Sequence, residues 1–491
     1  MSEVTRAERP GLERWSLVIL TLLAALLRLH GLGSESLWFD EGWSAVVARL
    51  DGPTLRNVLA TQPFPLYYAL LHLWARLGDG EFSLRLLSAL AGALTVPFLY
   101  AQVKHFWGAS AARWAGLLLA ISPLHVWYSQ EARMYALGTL WAAMASWAFL
   151  RAWAKPALKW WGLYVLLSAL ALYTFYYAAL VLVAHGLFLL YTVWRSRSGG
   201  VTLRAWLLAQ VALALLFLPG LGVLFSQLAG GTWGWVAQKY GRPGLGDLVN
   251  VALAFSVGNT WAGPGWLRWA ALAAFGAAIL AGVSRLRLSR DDLAWEMRLD
   301  HGAAFWGTYV VAPIAAILAL SQFQPSFVVR YLVLFLPPYC ALAGRGLAAP
   351  VRRAGLRWGL AGLILLGSAL SLRNLYQQPQ KENWREVARQ IAVQGQPGDA
   401  ILLVDEDASA VFGYYYPGPL PVLGVSGALQ DEPGLAAIVE PLAADRQRVW
   451  LVMSHTTNDA LWRHLAQDGR FALSERWEHL GIQLALFRRV R

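Results

Sequence analysis

Apolar runs, each close to the roughly 20 residues that a helix needs to cross a bilayer, recur from residue 15 to residue 372 with short polar clusters between them. The pattern predicts spans over 15–31, 84–103, 111–128 and 134–150. Residues 160–194 are one unbroken apolar run, too long for a single span, so it divides in two with Tyr173-Thr174-Phe175-Tyr176-Tyr177 as the hairpin tip. Spans over about 204–225, 266–284, 303–320, 331–347 and 355–372 complete a bundle of about 11 transmembrane helices. The segment from Gln62-Pro63-Phe64-Pro65 to Arg76 is too short to cross and starts at prolines; it reads as a helix lying at the outer interface. A Gly- and Trp-rich stretch, 226–265, forms a second long outer loop with a further interfacial helix.

Beyond Arg373 the pattern changes to segments of soluble composition. Glu382–Val393 and Asp459–Gln467 have helical periodicity, whereas Ala400–Val404, Arg448–Met453, Phe471–Trp477 and Ile482–Phe487 read as strands. The expected organisation is therefore a polytopic α-helical membrane domain, 1–372, whose first outer loop is 32–83, followed by a small extracytoplasmic α/β domain, 373–491. That domain contains no Walker loop, no GxGxxG after a strand and no metal-ligand spacing.

Composition agrees with a membrane chain: 57% of residues are hydrophobic and 14% charged, against about a quarter charged in soluble domains. The single cysteine, Cys340, excludes an internal disulfide framework. A net charge of +12 would suit a nucleic-acid partner, but its distribution argues otherwise. Arg6, Arg9, Arg14, Lys104, Arg151, Lys155, Lys159, Arg195, Arg197, Arg204, Arg285, Arg287, Arg290, Arg298, Arg345, Arg352, Arg353 and Arg357 all fall at the same ends of the predicted spans. This is the positive-inside bias, and it places the N-terminus in the cytoplasm and the 32–83 loop and C-terminal domain outside. No small-residue cleavage site follows the first run, so it is expected to remain as an anchor, with Arg28 at its outer interface.

Chemistry concentrates at the outer ends of the spans. Leu37-Trp38-Phe39-Asp40-Glu41-Gly42-Trp43-Ser44 follows the first span, with two adjacent carboxylates framed by interfacial aromatics. An ionised Asp in hydrocarbon costs several kcal/mol, so the pair must face water or a polar cavity at headgroup depth. Ser129-Gln130-Glu131-Ala132-Arg133-Met134-Tyr135 ends the third span, and Arg85, Arg330 and Tyr331 stand at the same level.

The runs FDEGWS, QPFPLYYALLHLW, FSLRLLSALAGALTVPFLY, SPLHVWYSQEARMYAL, RYLVLFLPP and KENWREVA, in that order, resemble the membrane glycosyltransferases of the C superfamily. The likeness is to the branch related to protein O-mannosyltransferases and aminoarabinose transferases, and is densest over 35–150. It implies a polyprenyl-phosphate sugar donor, an acceptor that is lipid, glycan or protein, and a reaction at the outer face. Asp40 matches the catalytic carboxylate of the first outer loop, with Glu41 beside it, and Glu131 matches the second acidic residue. An acceptor hydroxyl needs a base as it attacks the anomeric carbon, and the leaving phosphate needs cations, for which Arg85, Arg133 and Arg330 are candidates. Tyr135, Tyr331, Tyr67 and Gln62 complete the expected substrate-binding set. The resemblance leaves metal use open; a divalent cation would lie between Asp40 and Glu131. Relatives tend to have His where this chain has Gln62.

Other readings of these residues stand beside that one. Arg85 also suits a headgroup anchor, Glu131 and Arg133 a pair capping a span, and Tyr67 and Tyr68 a belt of interfacial aromatics. His72 and His125 read as helix-packing residues. Lys381, Glu382 and Arg385 either reach the mouth of the site or begin a solvated helix. The rival function is a membrane transporter or lipid flippase. Against it, the charged groups cluster at span ends, with no paired Gly/Pro-broken helices at the midplane.

Overall fold

The computed structural model describes the chain except residues 1–9, 197–199, 230–240, 289–292, 298–299, 350–353, 426–431, 444–445, 455–458 and 491. Arg6, Arg9, Arg197, Arg290, Arg298, Arg352, Arg353 and part of the 226–265 loop therefore lie outside the described residues.

Helices α1 (Pro10–Leu29), α2 (Phe39–Ala48), α3 (Gly52–Thr61) and α4 (Pro65–Trp74) precede the longest helix, α5 (Glu81–Ala120). Gly108, with φ +80, breaks α5 into two limbs, which correspond to the second and third predicted spans. The second limb ends at Ala120, short of the predicted 128, because Ser122 and Pro123 start a new helix, α6 (Pro123–Ser129), with Ser122 Oγ accepting the His125 N–H. Helices α7 (Tyr135–Ala154), α8 (Leu158–Thr174) and α9 (Ala179–Ser196) follow. The long apolar run divides at Phe175, where the backbone is extended, inside the predicted tip.

Next come α10 (Gly200–Ala229), α11 (Leu245–Val257), α12 (Gly265–Val283), a β-hairpin of β1 (Ser284–Leu288) and β2 (Leu293–Met297), α13 (His301–Leu320), α14 (Leu336–Ala348) and α15 (Ala354–Gln377). A 3-10 segment, Val329–Phe335, leads into α14. Among the described residues, 7 helices are long and apolar enough to cross a membrane. Trp15, Val18, Ile19, Leu22 and Leu26 leave an exposed apolar stripe along α1, at the spacing of one helical face, and lipid is the solvent such a stripe fits. The protein is an integral membrane protein.

The C-terminal part comprises α16 (Trp384–Gln394), β3 (Ala400–Val404), α17 (Ala408–Tyr415), β4 (Val422–Val425), α18 (Glu432–Ala443), β5 (Arg448–Ser454), α19 (Ala460–Gln467), β6 (Phe471–His479) and β7 (Ile482–Arg489). The five strands form one sheet in the order β4-β3-β5-β7-β6, with β3 parallel to β4 and β5, and β7 antiparallel to β5 and β6. The Ala-Ile-Leu-Leu-Val run of β3 is buried throughout, as a central parallel strand requires. Leu402, Leu451, Leu461, Leu465 and Phe487 form the core on one side of this sheet. This is the small α/β domain that the sequence pattern predicts, with β4, α17 and α18 added.

The chain forms two compact units. One comprises Met1–His30, Arg56–Leu70 and Arg85–Gln377; the other comprises Gly31–Leu55, Leu71–Leu84 and Gln378–Arg491. The loop carrying Asp40 thus folds with the α/β domain, and each unit holds part of the candidate chemistry.

Candidate active site

In the second unit, the acidic motif is fastened at its backbone. Glu382 Oε2 accepts the Phe39 N–H at 3.2 Å and the Trp384 indole N–H at 2.6 Å, so a carboxylate from the start of the α/β domain caps the N-terminus of α2. Ser36 Oγ donates to the Glu382 carbonyl, and the Gln380 N–H donates to Glu35 at 2.6 Å. The Leu37 N–H donates to the Tyr415 hydroxyl at 2.6 Å, and that hydroxyl donates to Glu81 Oε1 at 3.0 Å. Burial pushes the Tyr415 hydroxyl up, so it remains a donor at physiological pH.

Gly42 belongs to the same packing. A Cβ there would lie 2.4 Å from the Val411 Cβ and 2.6 Å from its Cα, so only glycine lets α2 approach α17 this closely. Arg385 donates twice to Glu81 Oε1, at 3.2 and 2.8 Å, and once to the Ser34 carbonyl. Arg49 pairs with Asp79 at 2.7 Å and lies over the Tyr414 ring.

The two adjacent carboxylates have different surroundings. Glu41 is fully buried; its Oε2 lies 3.2 Å from Lys381 Nζ and accepts the Trp38 N–H at 3.3 Å. Asp40, in the first turn of α2, is partly exposed. Glu41 is thus committed to an internal ion pair, and Asp40 is the more exposed carboxylate of the two. Lys381, Glu382 and Arg385 are contacts of the acidic loop and not a solvated helix start.

In the first unit, Glu131 is 2% exposed in the turn between α6 and α7, and its Oε1 accepts the Trp127 indole N–H at 2.7 Å. Gln130 Nε2 donates to the Arg28 and His30 carbonyls at 3.1 and 2.8 Å, which ties this turn to the end of α1. Arg133 Nη1 donates to the Tyr68 hydroxyl at 3.3 Å, and the Arg133 carbonyl accepts from Ser88. Glu131 and Arg133 meet through backbone, the Arg133 N–H donating to the Glu131 carbonyl at 2.8 Å.

Tyr135 and Tyr331 are both buried, with ring centroids 6.3 Å apart, and Phe175 contacts both. Arg330 lies over the Tyr331 ring at 5.4 Å. Tyr67 is fully buried against Tyr68, which places neither ring in an interfacial belt. Arg85 is buried at the start of α5, which does not suit a headgroup anchor. Gln62 is partly exposed, its N–H bonded to the Val58 carbonyl.

Three features of the sites lay beyond the sequence reading. Arg28 is buried and not an interfacial anchor: it donates to the Ala120 and Leu119 carbonyls at 3.0 and 3.2 Å and to His125 Nδ1 at 2.8 Å, satisfying the C-terminal carbonyls of α5. His125 is a packing residue in this cluster. Phe64 has φ +69, a strained conformation for a bulky residue before a proline, and its ring packs on Phe175 and Tyr176. The Pro63-Phe64-Pro65 spacing was the available signal. Trp127 as the donor to Glu131 follows from i,i+4 spacing across the end of α6.

Among the described residues, no group of three or more His, Cys, Asp or Glu side chains converges to hold a metal ion.

Residues 61–221 match the family model for dolichyl-phosphate-mannose-protein mannosyltransferase. The whole chain has the fold of ArnT from Cupriavidus metallidurans: the apo structure aligns over 97% of this chain and 98% of that one, with a TM-score of 0.61 and 17% identity. The chain thus has the ArnT fold, and its segment 61–221 is similar to that mannosyltransferase family. The same ArnT bound to undecaprenyl phosphate aligns over 96% and 98% of the two chains, with a TM-score of 0.60 and 16% identity. The Archaeoglobus fulgidus oligosaccharyltransferase in the apo form aligns over 90% of this chain and 70% of its own length, with a TM-score of 0.51 and 14% identity. No curated protein sequence matches the chain.

Proposed function

We propose that this protein is a membrane glycosyltransferase of the C superfamily that moves one sugar, a hexose such as mannose, from a polyprenyl-phosphate donor to an extracytoplasmic acceptor, with inversion and with Asp40 as general base. The observation that carries the reading is the division of labour within Asp40-Glu41. Glu41 is buried against Lys381, whereas Asp40 is partly exposed on a helix turn that the α/β domain fixes in place.

In the reaction, an acceptor hydroxyl oxygen forms a bond to the anomeric carbon as the bond from that carbon to the phosphate oxygen breaks. The hydroxyl proton passes to the Asp40 carboxylate, and the electron pair leaves with the polyprenyl phosphate. Base catalysis of this kind contributes about 10²–10⁴-fold. Arg85, Arg133 and Arg330 are the cations offered to the phosphate, Glu131 is the second acidic group, and Gln62, Tyr67, Tyr135 and Tyr331 line the donor. Glu41 acts by positioning the loop. The C-superfamily fold and the undecaprenyl phosphate in the ArnT structure support a lipid-phosphate donor. The charge bias supports a cytoplasmic-membrane protein with the N-terminus inside and Asp40 outside.

The test is transfer by purified protein in nanodiscs with a panel of radiolabelled polyprenyl-phosphate sugars. Turnover that disappears in folded Asp40→Asn protein is expected. Absence of turnover of every donor, with lipid movement across the bilayer altered by Asp40→Asn, would establish the transporter reading instead.

A further inference from the structure

Within the membrane unit, a cavity of about 360 Å³ opens where the first turn of α1, the first limb of α5 and the last turn of α7 meet. None of its residues takes part in the proposed transfer. Lys104, His105 and Arg151 line it, with Glu13 as the one carboxylate among the lining residues. Lys104 donates to Glu13, which uses one of its three N–H groups, and the Arg151 guanidinium lies over the Trp147 ring at 5.4 Å. The surplus charge is positive, and Arg supplies the planar fork that suits a phosphate.

Gln102 adds an independent requirement. It is buried, and its Nε2 donates to the Phe98 and Ala143 carbonyls, both at 3.0 Å, which fixes the orientation of the amide. Its Oε1 is buried with no hydrogen-bond partner, although Gln102 lines the cavity. An unpaired buried carbonyl costs about 1–3 kcal/mol, so a small shift that opens Oε1 to the cavity would favour an occupant that brings a donor to Gln102 as well as an anion to the cations. Leu17 and Leu150 supply apolar wall beside them.

We propose that this cavity binds the headgroup of an anionic glycerophospholipid bearing a hydroxyl donor, phosphatidylglycerol being the simplest. Phosphate meets Arg151 and Lys104, the glycerol hydroxyl donates to Gln102, and the acyl stems run along Leu17 and Leu150. Basic pockets between spans at the cytoplasmic face recognise anionic headgroups in this way. The proposal goes beyond the transferase reading and does not depend on it.

The experiment places full-length protein in phosphatidylcholine nanodiscs with a minor fraction of phosphatidylglycerol and weighs the retained lipid by native mass spectrometry after release. Wild type is expected to retain phosphatidylglycerol over phosphatidylcholine. Arg151→Gln lowers that retention about fivefold, the weight of one cation near an anionic surface. Gln102→Met, which keeps the shape and removes the acceptor, lowers it as well, and Arg195→Gln at the end of α9, outside the cavity, leaves it unchanged. Should Gln102→Met fail to fold, exposed Arg151 decides the matter alone. Equal retention of both lipids by wild type, or unchanged retention in Arg151→Gln, overturns the proposal. So does displacement of the lipid by millimolar inorganic phosphate or by a short polyprenyl phosphate, which would assign the cavity to those ligands.

Discussion

Lys381 Nζ lies 3.2 Å from Glu41 Oε2, with the two side chains 8% and 0% exposed. The two charges face each other in a dry site, and removing either takes this ion pair from the other. Lys381→Met is expected to destabilise the protein by about 3–5 kcal/mol, and Lys381→Met with Glu41→Gln to recover much of that loss. Thermal unfolding followed by tryptophan fluorescence measures both; equal unfolding temperatures for wild type and Lys381→Met would remove the pair from any account of stability.

The two neighbouring carboxylates should fail in different ways. Asp40→Asn lowers kcat by about 10²–10⁴-fold with the unfolding temperature unchanged. Glu41→Gln lowers the unfolding temperature as well as activity, because its target is the loop. If Asp40→Asn retains full turnover, the base lies elsewhere.

Glu131 owes its orientation to the Trp127 indole N–H at 2.7 Å. Trp127→Phe keeps an aromatic ring and removes this charge-assisted bond, worth about 1.5–3 kcal/mol. The expectation is a fall in kcat of roughly tenfold or more with donor KM little changed, and a smaller further loss when Glu131→Gln is added. Independent, multiplicative losses would show that Trp127 acts on something other than Glu131.

Gly42→Ala forces a Cβ within 2.4 Å of Val411. Overpacking of this kind costs about 1–3 kcal/mol, and Val411→Ala in the same chain should return part of it. Limited proteolysis of the 31–55 loop would read the separation of α2 from α17, with no added cleavage as the outcome that refutes the close approach.

His479 Nε2–H donates to Gln390 Oε1 at 2.9 Å, and burial lowers the imidazole pKa from the ordinary 6.5, partly opposed by Glu386. The unfolded chain therefore binds this proton more readily. Stability is full above pH 6.5 and declines as pH falls toward the lowered value in the folded state. Unfolding temperatures between about pH 7.5 and 5.5 should fall less in His479→Gln than in wild type; parallel curves would exclude His479 as a source.

Legibility followed the range of the forces involved. Span positions and the strands of the α/β domain are local periodicities, so runs such as Ala400–Val404 were readable directly. The break at Gly108 and the early stop at Ala120 depend on single residues inside an apolar run, where periodicity is silent. Asp40, Glu131 and Arg133 were legible as charged residues at span ends. Their supports were not: Glu41 is neutralised by Lys381 and α2 is capped by Glu382, residues far along the chain that carry no local mark of that contact. Arg28 shows the same limit, since an arginine ending an apolar run has the same sequence signature whether it snorkels to headgroups or caps a buried helix.

A chain with one cysteine has no covalent means of closing a loop, yet Leu37 and Glu81 are joined through the single phenolic oxygen of Tyr415. That oxygen serves as a reversible crosslink between the entry and exit segments of the acidic loop. Its strength is set by the folding of the α/β domain and not by redox conditions. The price of such a fastener is dependence: release of the terminal domain would unlatch both ends of the loop at once, so terminal-domain lesions that leave every catalytic side chain intact should still behave as active-site lesions.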